Sequence, residues 1–200
     1  MPRVEEWPEA AAWLPQLRAR LKPGRLRHVL GVAEWLDEIA RTLGLPRTAA
    51  RHAALLHDYC RNLDGAALLA AAAAHGLHID AHAQAKPVLL HGPVAAAQLA
   101  ADGHLKDEDV LDAIRWHTTG RPALAPLGQA LYVADFSEPN RKYPEAAATR
   151  DRFRRHGLEH ALRYATAQKH AFSQKKGNPV HPQAEAFYHW VHAYDGHLHA

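Results

Sequence analysis

Residues 55–62 read Leu-Leu-His-Asp-Tyr-Cys-Arg-Asn, and they place an adjacent His57-Asp58 pair at the end of an apolar run. A buried carboxylate costs free energy unless another group pairs with it. The interpretation of this segment therefore depends on which other side chains of the chain can reach Asp58.

The sequence around this segment is helical over nearly its whole length. Apolar residues recur at three- and four-residue spacing, and Gly or Pro interrupts the pattern at intervals. We predict helices over residues 8–21, 25–43, 47–59, 64–76, 88–101, 106–117, 127–136 and 145–172, and a short one after His181-Pro182. Asp64 and Asp107 are candidate N-caps, and residues 77–87 are expected to be irregular. Since no run alternates long enough for a convincing strand, the predicted fold class is all-α, a single domain over residues 1–200.

Composition excludes several classes of protein. Of 200 residues, 48% are hydrophobic and 22% are charged, which is ordinary for a soluble globular domain. The single cysteine, Cys60, excludes an internal disulfide framework and a cysteine-cluster zinc site. We find neither a secretory signal nor a membrane-spanning segment, so the expected location is cytoplasmic. The net charge of +3 is spread between acids, which argues against duplex nucleic acid and leaves small anionic ligands open.

Four of the 17 histidines lie in apolar stretches or at helix ends, and two aspartates share this feature. The six residues are His28, His57, Asp58, His91, His117 and Asp135. Any one of them alone is better explained as a hydrogen-bonded core residue or a cap. Two carboxylates and four imidazoles near one core cannot all be satisfied by local hydrogen bonds, whereas a pair of divalent metal ions satisfies them together. Mixed imidazole and carboxylate ligands suit iron, manganese or zinc.

The order of these residues resembles the HD-domain superfamily of metal-dependent phosphohydrolases, and within it the YqeK-type symmetrical diadenosine tetraphosphate hydrolases. The resemblance covers about residues 20–190. It is carried by Arg-Leu-Arg-His-Val (25–29), Leu-Leu-His-Asp-Tyr-Cys-Arg (55–61), Lys-Pro-Val-Leu-Leu-His-Gly-Pro-Val (86–94), Ile-Arg-Trp-His-Thr-Thr-Gly (114–120), Leu-Tyr-Val-Ala-Asp-Phe-Ser-Glu-Pro-Asn-Arg (131–141) and Val-His-Pro-Gln-Ala-Glu-Ala-Phe-Tyr (180–188). The chain departs from the family in having Arg61 for lysine, and Ala184 and Tyr188 for threonine and asparagine.

The resemblance implies a single HD-domain helical bundle with a dinuclear metal site in a core of about residues 23–142, and a C-terminal helical layer over about 143–195. It suggests that His28, His57 and Asp135 bind one metal while His91 and His117 bind the other. Asp58 can give one carboxylate oxygen to each ion. The resemblance implies iron, with manganese or zinc as substitutes.

The implied reaction is symmetrical cleavage of diadenosine tetraphosphate to two ADP by attack of a metal-bridging hydroxide on an inner phosphate. Asp58 and Arg61 are the predicted catalytic residues. Four residues are predicted to bind the phosphates: Arg61, Lys86, Thr118 and Arg141. Asp80 and Glu138 are loose candidates for a general acid, and the assembly is left open, with a homodimer as one option.

Three alternatives remain open from the sequence. The first is hydrolysis of another nucleotide, such as a mononucleotide or an alarmone, which the same ligands would support. The second is a di-iron oxygenase of the same fold, against which the cationic residues argue. The third is a nucleotide sensor without turnover, against which the complete set of six metal-ligand candidates argues.

Overall fold

The structure is a computed structural model that describes residues 3–175 and 180–193. Within these residues it contains α-helices and two short 3-10 turns, and none of them forms a strand. The helices are α1 (Pro8–Arg20), α2 (Pro23–Leu43), α3 (Arg47–Leu56), α4 (Gly65–Ala74), α5 (Ala81–Ala85), α6 (His91–Ala101), α7 (Glu108–Trp116), α8 (Pro126–Ser137), α9 (Pro144–Lys175) and α10 (Pro182–Ala193). The predicted all-α fold class is confirmed.

Aspartate side chains begin three of these helices. Asp64 accepts a hydrogen bond from the Ala67 amide at 2.8 Å, and Asp107 accepts from Asp109 at 3.0 Å. Both bonds satisfy amides that have no partner inside the helix. The two predicted N-caps are therefore confirmed.

Two predicted boundaries are wrong. The third helix ends at Leu56 rather than at residue 59, because the chain continues in tight turns in which the Tyr59 amide donates to Leu56 and the Arg61 amide to Asp58. The segment over 77–87 is not wholly irregular, because Asp80 caps the short helix α5. The first correction matters for function, since it moves the His57-Asp58 pair out of a helix and into a turn.

The metal-ligand candidates all come from the packed interior of the bundle. Helix α2 packs against α3 and α8, and α7 packs against α3, α6 and α8. Trp35 lies fully buried in α2 and donates from its indole to Ser137 Oγ in α8 at 3.0 Å, so these two helices are joined at the core.

Helices α9 and α10 lie farther along the chain, with α9 packed on α8 and α10 packed on α9. Helix α9 is kinked at Gly157, whose φ of +83° is a conformation that glycine adopts without the cost of a β-carbon. The kink separates the first part of α9 from the part that carries Lys169. The division into a core and a C-terminal layer stays an interpretation.

No helix among residues 3–175 and 180–193 is both long and apolar enough to cross a membrane. The cytoplasmic location and the homodimer both stay predictions. The end of the predicted C-terminal layer, residues 194–195, lies outside the described residues.

Candidate metal centre

The structure brings the predicted metal ligands to one point in the bundle. His28 is on α2, His57 and Asp58 follow α3, His91 begins α6, His117 follows α7, and Asp135 is on α8. Donor atoms of five of them form two compact groups, and Asp58 belongs to both: His28, His57 and Asp58 in one, and Asp58, His91 and His117 in the other. Asp135 is in neither group, but its Oδ1 lies 3.0 Å from His28 Nε2. A shared carboxylate is the arrangement in which one side chain can bridge two ions.

Three of the histidines are oriented in the same way by the backbone. His57 Nδ1 donates to the Ala54 carbonyl at 2.7 Å, and His117 Nδ1 donates to the Ile114 carbonyl at 2.7 Å. His91 Nδ1 likewise donates to the carbonyl three residues before it. Because Nδ1 donates to a carbonyl in each ring, the neutral imidazole has its lone pair on Nε2, which points into the centre, as it does in metal-binding histidines.

The spacing of two of these lone pairs fits a metal ion. His91 Nε2 and His117 Nε2 lie 2.9 Å apart. Two nitrogen ligands that each lie about 2.05 Å from one ion, at a right angle, are separated by about 2.9 Å. Gly92 permits this approach of α6 to α7, since a β-carbon there would lie 2.8 Å from the Ile114 carbonyl oxygen.

His28 is held by carboxylates rather than by the backbone. Its Nδ1 lies 3.3 Å from Glu138 Oε1, and its Nε2 lies 3.0 Å from Asp135 Oδ1 and 3.8 Å from Asp58 Oδ2. Nε2 of His28 and Nε2 of His57 are buried and make no well-aligned hydrogen bond. A metal ion would bind buried nitrogen atoms that lack such a bond.

Glu138 therefore stands behind His28 as an orienting carboxylate. Its side chain is 3% exposed, and its Oε2 accepts from the Asn140 amide at 2.7 Å. Burial raises its pKa, but the hydrogen bond from His28 and the Asn140 amide lower it further, so it is ionised. The sequence offered Glu138 as a loose candidate for a general acid, and the structure instead pairs it with a metal-ligand candidate.

The protonation states of Asp58, Asp135 and His117 suit metal binding. Burial would raise the pKa of Asp58, but His57 and His91 hold it well below its usual range. Burial would also raise the pKa of Asp135, but His28 holds it well below its usual range. The pKa of His117 falls to about 3, because the ring is buried and lies beside other imidazoles. At neutral pH the carboxylates are thus ionised and His117 is neutral, which are the forms that bind a cation.

Arg25 is a residue of this site that the sequence analysis did not single out. It precedes His28 by three positions on α2, so both side chains lie on the same face of the helix. Its guanidinium donates to Asp58 Oδ2 at 2.9 Å. The three-residue spacing from His28 was the signal that could have found it.

A cleft of about 840 Å³ adjoins the centre. Three of the four predicted phosphate-binding residues line it, namely Lys86, Thr118 and Arg141. Its aromatic lining residues are Tyr132, Phe136, Tyr143, Phe172 and Tyr188. A cleft of this size, with a few polar groups between aromatic walls, has the character of a ligand site.

Arg141 and Thr118 connect this cleft to the metal-ligand candidates. Arg141 donates to Asp135 Oδ1 at 3.3 Å, and the Thr118 hydroxyl oxygen lies 3.2 Å from His117 Nε2. Arg61 is different, because it is not among the residues that line the cleft. Among residues 3–175 and 180–193, no hydrogen bond or ion pair fixes its side chain, so its predicted role stays a prediction.

Asp80, the second general-acid candidate, caps α5 and pairs with His181 Nε2 at 3.1 Å, and His181 lines the cleft. Tyr59, in the turn that follows α3, is buried, donates to Gln16 at 3.1 Å and packs edge-on against Trp13, so it is a core residue.

Comparison with known proteins places the chain among HD-domain hydrolases. The HD domain family matches residues 25–140. The chain is 33% identical to the symmetrical bis(5'-nucleosyl)-tetraphosphatase of Bacillus subtilis, over 88% of this chain and 93% of that protein. It is 31% identical to the protein of the same name from Halalkalibacterium halodurans, over 88% and 92% of the two chains. The crystal structure of a predicted HD superfamily hydrolase involved in NAD metabolism, from Clostridium acetobutylicum, is similar with a TM-score of 0.85 and 27% identity, over 90% of this chain and 94% of that one.

Proposed function

Since the chain belongs to the HD-domain family, and within it to the family of the symmetrical bis(5'-nucleosyl)-tetraphosphatases, we propose that it hydrolyses diadenosine tetraphosphate to two molecules of ADP. The activity is metal-dependent and takes place at the centre formed by the four histidines and two aspartates. The curated relatives support the substrate, and the geometry of the site supports the class of chemistry.

One observation carries the chemistry. Asp58 is common to two groups of metal-ligand candidates, and the Nε2 lone pairs of the surrounding histidines face inward. Bonds to the backbone fix the orientations of His57 and His117, and Glu138 faces His28. A binding module without turnover has no need of such an arrangement at the end of a cleft.

We infer that the centre holds two divalent ions. His28, His57 and Asp135 are the ligand candidates for one ion, His91 and His117 for the other, and Asp58 for both. The family resemblance favours iron, with manganese or zinc as substitutes. When bound, such a pair supplies a nucleophile from water at neutral pH and offsets the charge of the phosphoryl oxygens.

The residues of the cleft orient the substrate. Arg141 and Lys86 supply positive charge to the phosphates, and Thr118 offers a hydroxyl and a backbone amide beside His117. Arg61 follows Asp58 by one turn, and its side chain is proposed to turn toward the same phosphates. The leaving group is ADP, a stable diphosphate, so the reaction needs no dedicated general acid.

The test is a product analysis. We would purify the protein anaerobically with iron, incubate it with diadenosine tetraphosphate and separate the products by ion-exchange chromatography. ADP as the sole product, absent with the Asp58→Ala variant, is expected. Metal content would be measured on both proteins, because the variant should also have lost its metal.

Other products would point to the alternatives. Release of AMP and ATP would support the metal centre but would mean that a phosphorus other than the proposed one is attacked. Consumption of oxygen during turnover would indicate a di-iron oxygenase. Tight nucleotide binding without turnover by the fully loaded protein would contradict the proposal and indicate a sensor.

A further inference from the structure

Lys169 lies in the cleft, and the proposed function gives it no role. It lies on the second part of α9, beyond the kink at Gly157, and lines the cleft together with Lys86 and Arg141. The sequence pattern gave no reason to select it over Lys175, the other lysine of α9.

The ammonium of Lys169 has few partners in the protein. Its Nζ donates to the Thr118 carbonyl at 3.0 Å and lies 3.9 Å from the centre of the Tyr132 ring. Among residues 3–175 and 180–193, no carboxylate forms an ion pair with it. An ammonium has three donors and is costly to remove from water without an anion beside it.

The position of Lys169 relates it directly to the metal centre. Thr118 is the shared neighbour, because its carbonyl accepts from Lys169 while its hydroxyl oxygen lies 3.2 Å from His117 Nε2. Lys169 therefore lies where the cleft adjoins His117.

Cationic side chains outnumber carboxylates in the described lining of the cleft, although Arg141 is already paired with Asp135 of the metal centre. Its lining includes Lys86, Arg141, Lys169 and Lys175, and Glu145 is the one carboxylate among the described lining residues. Burial lowers the pKa of Lys169 to about 8, so the group is still mostly protonated at neutral pH. A polyphosphate in the cleft would supply the anionic partner that Lys169 does not have as an ion pair in the described residues.

We propose that Lys169 is a substrate-binding residue that contacts a phosphate of the ADP half lying in the cleft. This assignment rests on the proposed function for the identity of the nucleotide. Lys169 stabilises the negative charge of the diphosphate both in the bound substrate and as it leaves. The contact is with phosphate oxygens, so it does not depend on the base.

The experiment compares Lys169→Met, which keeps the length and apolar stem, with Lys169→Arg, which keeps the charge. Lys142→Met is the matched control, because Lys142 is exposed, follows Arg141 and does not line the cleft. Binding of ADP and of inorganic pyrophosphate to the metal-loaded proteins would be measured by calorimetry, well below the Tm of each variant. KM and kcat for diadenosine tetraphosphate would be measured in parallel.

We expect Lys169→Met to weaken both ADP and pyrophosphate roughly tenfold and to raise KM by a similar factor. Lys169→Arg should recover most of this loss, and Lys142→Met should match the wild type. The Tm of Lys169→Met should be unchanged or higher, because a poorly compensated charge has been removed.

A purely structural lysine would behave in the opposite way. If Lys169 only holds α9 against Thr118, Lys169→Met would have a lower Tm but an unchanged affinity for ADP and pyrophosphate. The assignment would then be overturned. That result, with a wild type that still releases ADP from diadenosine tetraphosphate, would leave the proposed function standing. A wild type that releases no ADP would instead contradict the proposed function, and pyrophosphate affinity would then decide the phosphate contact of Lys169 independently.

Discussion

Two groups of charged side chains, each built around a buried aspartate, differ in how their charges are balanced. In the arginine cluster, formed by Glu9, Asp37, Arg47 and Arg51, Asp37 Oδ1 accepts from Arg51 Nε at 2.9 Å and from Arg47 Nε at 3.0 Å. Its other oxygen accepts from Arg47 as well, and Arg51 also reaches Glu9 at 3.3 Å. In this cluster the protein supplies every counter-charge itself.

The histidine cluster, formed by the six metal-ligand candidates, leaves its charges incompletely balanced. Asp58 has one arginine, Arg25, and its other polar neighbours are the Nε2 atoms of His57 and His91. The comparison teaches that burial of an acid does not identify a functional site. What identifies it is a set of imidazole nitrogen atoms aimed at a common point around the acid.

The largest expected effect that separates the clusters is the loss of activity in Asp58→Asn. The amide keeps the shape of the side chain but cannot bridge two cations, so ADP release should fall on the order of a thousandfold. Activity and metal content would be measured on the same preparation. Near-normal metal content and turnover would remove Asp58 from the proposed centre.

The same substitution in the arginine cluster should act on stability. Asp37 is 3% exposed, and Asp37→Asn would leave Arg51 with only Glu9 as an acidic partner, so we expect a loss of about 3 kcal/mol in the free energy of unfolding. For a domain of this size that corresponds to a Tm lower by roughly 10 °C. Urea and thermal unfolding would measure it.

The activity per folded molecule of Asp37→Asn should stay within about twofold of the wild type at low temperature, where it remains folded. If this variant lost its metal, the two clusters would be coupled and the distinction between them would fail.

A smaller effect is expected when the support behind one ligand is weakened. Glu138→Gln removes the charge that faces His28 Nδ1, and partners of this kind change metal affinity by roughly 10- to 100-fold. Chelator competition would measure the affinity. Glu34→Gln is the matched control, since Glu34 is an exposed glutamate on α2. Equal affinities in both variants would mean that Glu138 does not orient His28 for a metal.

Helical periodicity predicted the all-α fold, and local side-chain chemistry predicted the caps at Asp64 and Asp107. Periodicity alone did not predict that α3 stops at Leu56, because the apolar pattern runs on through Tyr59 and Cys60. Both residues are buried although they lie in turns, so burial continues where the helix does not.

For the site, apolar flanks and the family resemblance together selected the six metal-ligand candidates, and the structure brings them together. The sequence did not reveal Lys169 or the orienting role of Glu138, because each depends on a partner distant along the chain. Lys169 and Thr118 are 51 positions apart in the sequence, and Glu138 and His28 are 110 positions apart. Contacts over such separations have no periodic signal in a single sequence.

The smallest predicted effect is the pH dependence of the stability that Asp37 provides. Burial raises the pKa of Asp37, but Arg47 and Arg51 lower it further, so in the folded protein it lies below the ordinary value of 3.8. The unfolded state therefore binds the extra proton first, and the contribution of Asp37 is complete above about pH 5 and is lost as pH falls through 3.8 toward the folded pKa. The difference in unfolding free energy between the wild type and Asp37→Asn should be constant from about pH 5 to 7.

Below about pH 4 that difference should shrink, by at most about 1.4 kcal/mol per pH unit. Urea unfolding of both proteins with a chelator present throughout would measure it, since loss of metal from the histidine cluster then contributes to neither. Other groups that titrate in acid affect both proteins alike and cancel in the difference. A gap that stayed constant down to pH 3 would mean that Asp37 stabilises the fold by packing rather than by its charge, and the arginine cluster would no longer be the self-compensated counterpart of the metal centre.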